Sequence, residues 1–184
     1  MMDETKIIEL KKGEILKEDG TYKVLSGRLI CKTTKQLLYF TNVGDRIIVD
    51  PTFFQNAFHY EAKEKVILAD VAHTPSFNGI KARQELQWKI TVALIERVDS
   101  CSEPMKKRFM LLLYQVGRES GYLNDKDVCV LPNVLTHREL SKYVGCTREY
   151  LSSMRKQLIK EGRLSGERGW VLLKWSEWQA NLSR

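Results

Sequence analysis

The chain has 184 residues, 43% hydrophobic and 29% charged, with a net charge of +7; this length allows two small domains, each with a modest core. It has no run of ~20 apolar residues, so no membrane span is expected. Its charged start, Met1-Met-Asp-Glu-Thr-Lys6, leads into no apolar segment of the secretory kind. Four cysteines (Cys31, Cys101, Cys129 and Cys146) lie far apart with no CxxC pair, so buried or half-buried free thiols are expected in place of a zinc site or a disulfide framework.

The first seventy residues read as short strands cut by turns. Gly13, Asp19-Gly20, Ser26-Gly27 and Val43-Gly44-Asp45 punctuate runs such as Tyr22–Leu25, Arg28–Thr33, Gln36–Phe40 and Arg46–Val49, and Lys65–Val71 closes the series. Turn signals every ten residues or so predict a small antiparallel sandwich or barrel over residues 1–72, not βαβ units.

The composition then changes to a helical pattern over residues 73–103. Ile80, Gln87, Leu94 and Cys101 fall seven apart, Leu86, Ile90, Ala93 and Arg97 run beside them, and Trp88, Val92 and Ile95 form a second apolar face. A helix apolar on two sides must bury both. One side can cover the β-domain, and the other can meet a second copy of itself or a neighbouring domain of the same chain. Leu86, Ile90, Leu94 and Val98 are the candidate dimer contacts. Ser102-Glu103-Pro104 ends this helix and opens another, roughly Met105–Arg118, because proline suits a first helical position.

Residues 104–184 carry the most specific pattern. After a loop rich in Gly, Asn and Asp, Val128–Leu131 reads as a short strand. Two short helices then meet at Gly145, which supplies the positive φ of a sharp turn. Thr136 with Glu139 makes a capping box, and Thr147 caps the second helix, 147–160. Gly162 ends that helix in the left-handed conformation. The turn Ser165-Gly-Glu-Arg168, between Leu164 and Gly169–Leu173, adds a compact hairpin, which makes the whole a winged helix-turn-helix. Trp175 and Trp178 are expected to be packing residues.

Charge singles out the same half. Residues 1–100 hold 15 Lys+Arg against 14 Asp+Glu, whereas residues 101–184 hold 15 against 9. A basic half beside a neutral one points to a polyanion-binding module. At ~100° per residue, Leu151, Met154 and Leu158 share one side of the second helix, and Glu149, Ser153, Lys156 and Lys160 lie opposite. Arg148 and Glu149 occupy the first turn, which enters the major groove most deeply in this geometry. Arg148 can pair with guanine and Glu149 can accept from cytosine, or both can serve as charges at the helix end. Lys156, Lys160, Arg163 and Arg168 suit phosphates, as do Ser152 and the helix-start threonines Thr136 and Thr147.

The segment Val144–Met154, followed by Leu158 and Glu161-Gly-Arg-Leu164, resembles the DNA-binding domain of Crp/Fnr-type bacterial transcription regulators. Leu10–Glu14, Tyr22–Gly27 and Phe40–Asp45 resemble the first strands of that family's β-roll sensor, and the helix through Trp88 its dimerisation helix. The resemblance implies an α+β chain with an N-terminal β-roll, a long connecting helix and a C-terminal winged helix. It also implies a cytoplasmic homodimer on palindromic double-stranded DNA, with RNA polymerase as a further candidate partner. Arg148 and Glu149 match two base-reading positions of the catabolite-regulator branch. The third, an arginine there, is Ser153 here.

Other departures bear on the signal. Arg46–Phe54 has no match to the phosphate-binding cassette of cyclic-nucleotide sensors, and the clustered N-terminal cysteines of iron–sulfur members are absent. His59, His73 and His137 are scattered. No cofactor is expected. No paired carboxylates, nucleophile–histidine arrangement or Walker loop suggests an enzyme. The remaining alternative is an adaptor or ligand-binding module whose winged helix contacts protein; the basic second helix favours DNA.

Overall fold

A computed structural model describes residues 5–50, 57–72 and 78–182, arranged as two compact units, residues 1–98 and 99–184.

In the first unit seven strands form two antiparallel sheets. β1 (Ile7–Leu10), β2 (Gly20–Ser26), β5 (Arg46–Val49) and β7 (Val66–Asp70) stand in the order β1-β7-β2-β5, while β3 (Leu29–Lys32), β4 (Leu37–Thr41) and β6 (His59–Ala62) stand in the order β4-β3-β6. All of the pairings are antiparallel, as the turn spacing predicts. The β2–β3 turn depends on Gly27, at φ +78°, where a Cβ would stand 2.2 Å from the Lys65 carbonyl oxygen. β6 is absent from the sequence reading because His-Tyr-Glu-Ala carries only one strand-favouring side chain. It nevertheless alternates, with Tyr60 and Ala62 buried and His59 and Glu61 half-buried. The cassette comparison over Arg46–Phe54 and the position of His73 fall partly or wholly outside the described residues.

The core of this unit is closed by α1 (Gly79–Cys101), whose Ala82, Leu86, Ile90 and Ala93 pack with Tyr22, Val24, Leu29, Tyr39, Ile47 and Leu68. Two of the four expected dimer contacts, Leu86 and Ile90, are therefore corrected, while Leu94 and Val98 stay exposed. Leu86 and Ile90 are only 6% and 5% exposed because they seal their own β-roll, and a side chain committed there has no surface left for a second copy. The other side of α1 carries Trp88, Val92, Leu94, Ile95 and Val98, all exposed. With the exposed Thr91 between them, Trp88, Ile95 and Val98 follow the alternating 3–4 spacing of a coiled-coil seam.

Beneath α1 lies a buried polar cluster. The Tyr39 and Tyr60 hydroxyls are 2.8 Å apart, the Cys31 thiol adjoins both, and the Lys89 ammonium sits 4.3 Å from the centre of the Tyr39 ring. Burial pushes the Cys31 thiol up to about 12. Cys129 is also buried and Cys146 half-buried, but Cys101 is exposed, against expectation. It is the last residue of α1.

The second unit begins with α2 (Met105–Ser120). It continues through β8 (Tyr122–Asn124), β9 (Val128–Leu131), α3 (His137–Val144), α4 (Arg148–Lys160), β10 (Trp170–Leu173) and α5 (Trp175–Leu182). Its sheet has the order β10-β9-β8. β8 and α5 are additions to the sequence reading. The three exposed residues of β8 lack the alternation of a half-buried strand, and α5 is a two-turn helix recruited by its tryptophans. Trp178 is fully buried and Trp175 nearly so, the packing role expected of both.

Candidate nucleic-acid interface

The turn between α3 and α4 follows from four local devices. Thr136 and Glu139 complete the capping box: the Thr136 hydroxyl accepts from the Glu139 N–H at 3.2 Å, and the Glu139 carboxylate accepts from the Thr136 N–H at 2.8 Å. Gly145 sits at φ 81°, ψ 39° and donates to the Ser141 carbonyl. Ser141 is buried; as a small residue it lets the two helices approach. Thr147 then caps α4, its hydroxyl accepting from the Tyr150 N–H at 3.2 Å. Without these caps the first-turn N–H groups of both helices would be left to water.

At its far end α4 stops in a Schellman arrangement. The Gly162 N–H donates to the Ile159 carbonyl and the Arg163 N–H to the Leu158 carbonyl, with Gly162 at φ 67°. The start of α2 is tied to this end by a Lys106–Glu161 ion pair of 2.5 Å.

Leu151, Met154 and Leu158 are the buried residues of α4. Glu149, Ser153, Lys156 and Lys160 are exposed on the opposite side, Arg148 is exposed on one shoulder, and Ser152 is half-buried beside it. Lys156, Lys160 and Arg168 make no ion pair or hydrogen bond among the described residues. Glu149 is held below the ordinary glutamate range, first by its own backbone N–H and then by the Thr147 hydroxyl. Its carboxylate thus lies against the start of its own helix.

The wing differs in one respect from a simple hairpin. β10 pairs along its length with β9, while the returning strand is reduced to a single Leu164–Leu172 bridge and the bonds Ser165 N–H to Val171 O and Leu173 N–H to Arg163 O. Arg168 is exposed at the tip. Arg163 is half-buried, and one of its terminal nitrogens is fully buried without a hydrogen-bond partner. It therefore belongs to the base of the wing and not to the outward-reaching cations.

Sequence reasoning missed Arg155. Its side chain leaves α4 on the Arg148 shoulder and donates to the Glu167 and Gly169 carbonyls of the wing at 2.9 and 3.1 Å. Its guanidinium lies 5.3 Å from the centre of the Trp170 ring, which also faces His137 at 5.0 Å and Phe109 at 5.6 Å. One signal was available: an arginine directly beside the buried stripe of α4, within reach only of the segment that follows the helix.

In the first unit a cavity of about 310 Å³ is lined by apolar Ile15, Leu16, Ile48, Val49, Phe58 and Tyr60, with Lys17, Asp19, Asp50 and His59 among them. Asp50 pairs with Arg83 at 2.8 Å. The described lining thus holds two carboxylates, Asp19 and Asp50, and one lysine, Lys17. Among the described residues no group of three or more His, Cys, Asp or Glu could hold a metal ion, and no described helix is long and apolar enough to cross a membrane.

A two-sheet β-roll closed by a long helix, followed by a helix-turn-helix with a β wing, is the fold of Crp/Fnr-family transcriptional regulators. The chain is similar over nearly its whole length to solved structures, one of them named for that family. A CRP/FNR-family transcriptional regulator of Thermus thermophilus is 20% identical with a TM-score of 0.73, covering 97% of this chain and 99% of that one. FixK2 of Bradyrhizobium japonicum is 19% identical with a TM-score of 0.65, covering 96% of each. A cyclic nucleotide-binding domain containing protein of Listeria monocytogenes is 15% identical with a TM-score of 0.72, covering 94% and 90%. No protein-family model and no curated protein sequence matches the chain.

Proposed function

We propose that this chain is a homodimeric, sequence-specific DNA-binding transcription regulator of the cytoplasm that inserts α4 into the major groove of a palindromic site and works without a cyclic nucleotide. The observation that carries this reading is the outer face of α4. Glu149, Ser153, Lys156 and Lys160 are exposed opposite the buried Leu151, Met154 and Leu158, and Arg148 is exposed on the shoulder beside them. A stabilising surface helix has no need of cations in its first turn, where the helix dipole disfavours them. A groove-reading helix does, since Arg148 can bond guanine O6 and N7 together.

The wing tip extends the same surface with Arg168, and the starts of α3 and α4, with Thr136 and Thr147, offer backbone N–H groups suited to phosphates. The exposed stripe Trp88–Ile95–Val98, with Val92 and Leu94 beside it, supports dimerisation. A two-fold dimer puts its reading helices on half-sites about 34 Å apart. The polar groups of the first-unit cavity support independence from cyclic nucleotides.

The test is a half-site substitution series on the operator selected by the wild-type protein. Arg148→Ala is expected to cost about 1–3 kcal/mol on the cognate half-site and to relax one base pair, with little change on random DNA. Glu149→Ala relaxes a neighbouring pair with a smaller loss, and Ser153, shorter than the arginine it replaces, leaves the inner half-site loosely read. If Arg148→Ala weakens cognate and random DNA by one factor, Arg148 is a phosphate contact and the base-reading assignment fails. A chain that selects no DNA at all but captures a protein through α4 would be the adaptor.

A further inference from the structure

The two carbonyls that accept from Arg155 belong to Glu167 and Gly169, the residues on either side of Arg168. A single guanidinium on the reading helix thus grips the wing backbone immediately before and after its outermost cation. The grip is backed by a flat support: Trp170 lies under the guanidinium and itself packs against His137 and, edge-on, Phe109. Gly169, at φ 96°, lets the chain turn so that both carbonyls face the same nitrogen.

We infer that Arg155 is a positioning residue: it clamps the wing to α4 so that Arg168 is held ready for a DNA phosphate. This rests on the DNA-binding reading and adds a residue to it. Otherwise the tip, with one bridge and two backbone bonds behind it, would have to be ordered when DNA arrives, and that ordering would be subtracted from affinity. With the clamp, reading helix and wing meet the duplex as one rigid piece. Arg155 also lies off the exposed face, half-buried, so it does its work through Arg168 and not by touching DNA.

Two measurements on the full-length protein test this. The first needs no DNA: trypsin cuts after Arg168, and in Arg155→Met, which keeps the stem over Trp170, cleavage there is expected to rise on the order of tenfold. Cleavage elsewhere and the melting curve stay the same.

The second is the salt dependence of DNA binding. Arg168→Ala is expected to lower the slope by about one in the wild-type background and to change nothing further in Arg155→Met. Arg155→Lys keeps the charge without the planar fork and is expected to behave like Arg155→Met. Unchanged cleavage at Arg168, an undiminished effect of Arg168→Ala in Arg155→Met, or full rescue by lysine would each overturn the clamp. A wild-type protein with no DNA affinity would instead overturn the regulator reading, while the cleavage result still decides the clamp.

Discussion

Two substitutions one helical face apart on α1 should have opposite consequences. Leu86 is 6% exposed within the β-roll core and Ile95 is 55% exposed on the other side. Leu86→Ala removes buried methyl groups at a site lined by strands that cannot collapse onto the gap, at a cost of about 3 kcal/mol. For a unit of residues 1–98, at ~4–8 °C per kcal/mol, its melting transition falls by about 12–24 °C. Ile95→Glu leaves the monomer fold within about 0.5 kcal/mol, but it places a carboxylate in each half of the proposed two-fold apolar seam. The assay is sedimentation velocity with melting curves at several protein concentrations, because a dimer's melting point depends on concentration and a monomer's does not. Leu86→Ala is expected to stay dimeric and melt early. Ile95→Glu is expected to be monomeric, with a melting point independent of concentration. A monomeric Leu86→Ala that melts like wild type, or an Ile95→Glu that still sediments as a dimer, would refute this assignment of the two faces.

Gly145→Ala puts a side chain at φ 81° and is expected to cost about 1–2 kcal/mol of stability by urea titration, with a parallel loss of DNA affinity. Burial opposes ionisation of Glu61, but hydrogen bonds from Lys32 and Lys63 outweigh it and hold its carboxyl below the ordinary range. Its stabilising contribution is therefore complete above the unfolded value of about 4.3 and is lost as pH falls through the lower folded value, so Glu61→Gln should flatten the urea midpoint against pH over that acid range. A thiol reagent on the native protein should label exposed Cys101 first and reach Cys31, pushed up to about 12, and Cys129, pushed up to about 11, only on unfolding; mass spectrometry of time points reads the order.

What could be read from the sequence was local. The capping box at Thr136, the left-handed Gly145 and the stop at Gly162 depend on neighbours three or four residues away, and each stands where its residue types put it. The antiparallel character of the first unit was likewise written in its turn spacing. What escaped depends on tertiary partners. The periodicity of α1 announces two apolar faces but not which one meets the β-roll; Leu86 and Ile90 face inward because their flanking positions Ala82 and Ala93 are small enough to let a strand approach. β6 is a strand because β3 bonds to it. Arg155 could be seen as a cation beside a buried stripe, but its carbonyl partners lie 12 and 14 residues further along, beyond any helical repeat.

The way α5 closes the second unit has a consequence for synthesis on the ribosome. Trp175 sits so close to α2 that a Cβ on Gly117 would approach its ring to 2.7 Å. The start of α5 is also fastened to the β8–β9 turn, where the Trp175 N–H donates to the Asp127 carbonyl and the Ser176 N–H to the Asp127 carboxylate at 2.8 Å. The first helix of the unit is thus covered by its last. While the chain is being made, α4 leaves the exit tunnel before α5, the helix that covers α2, and contacts so far apart in sequence form late. The second unit therefore completes its core only when α5 has docked on α2.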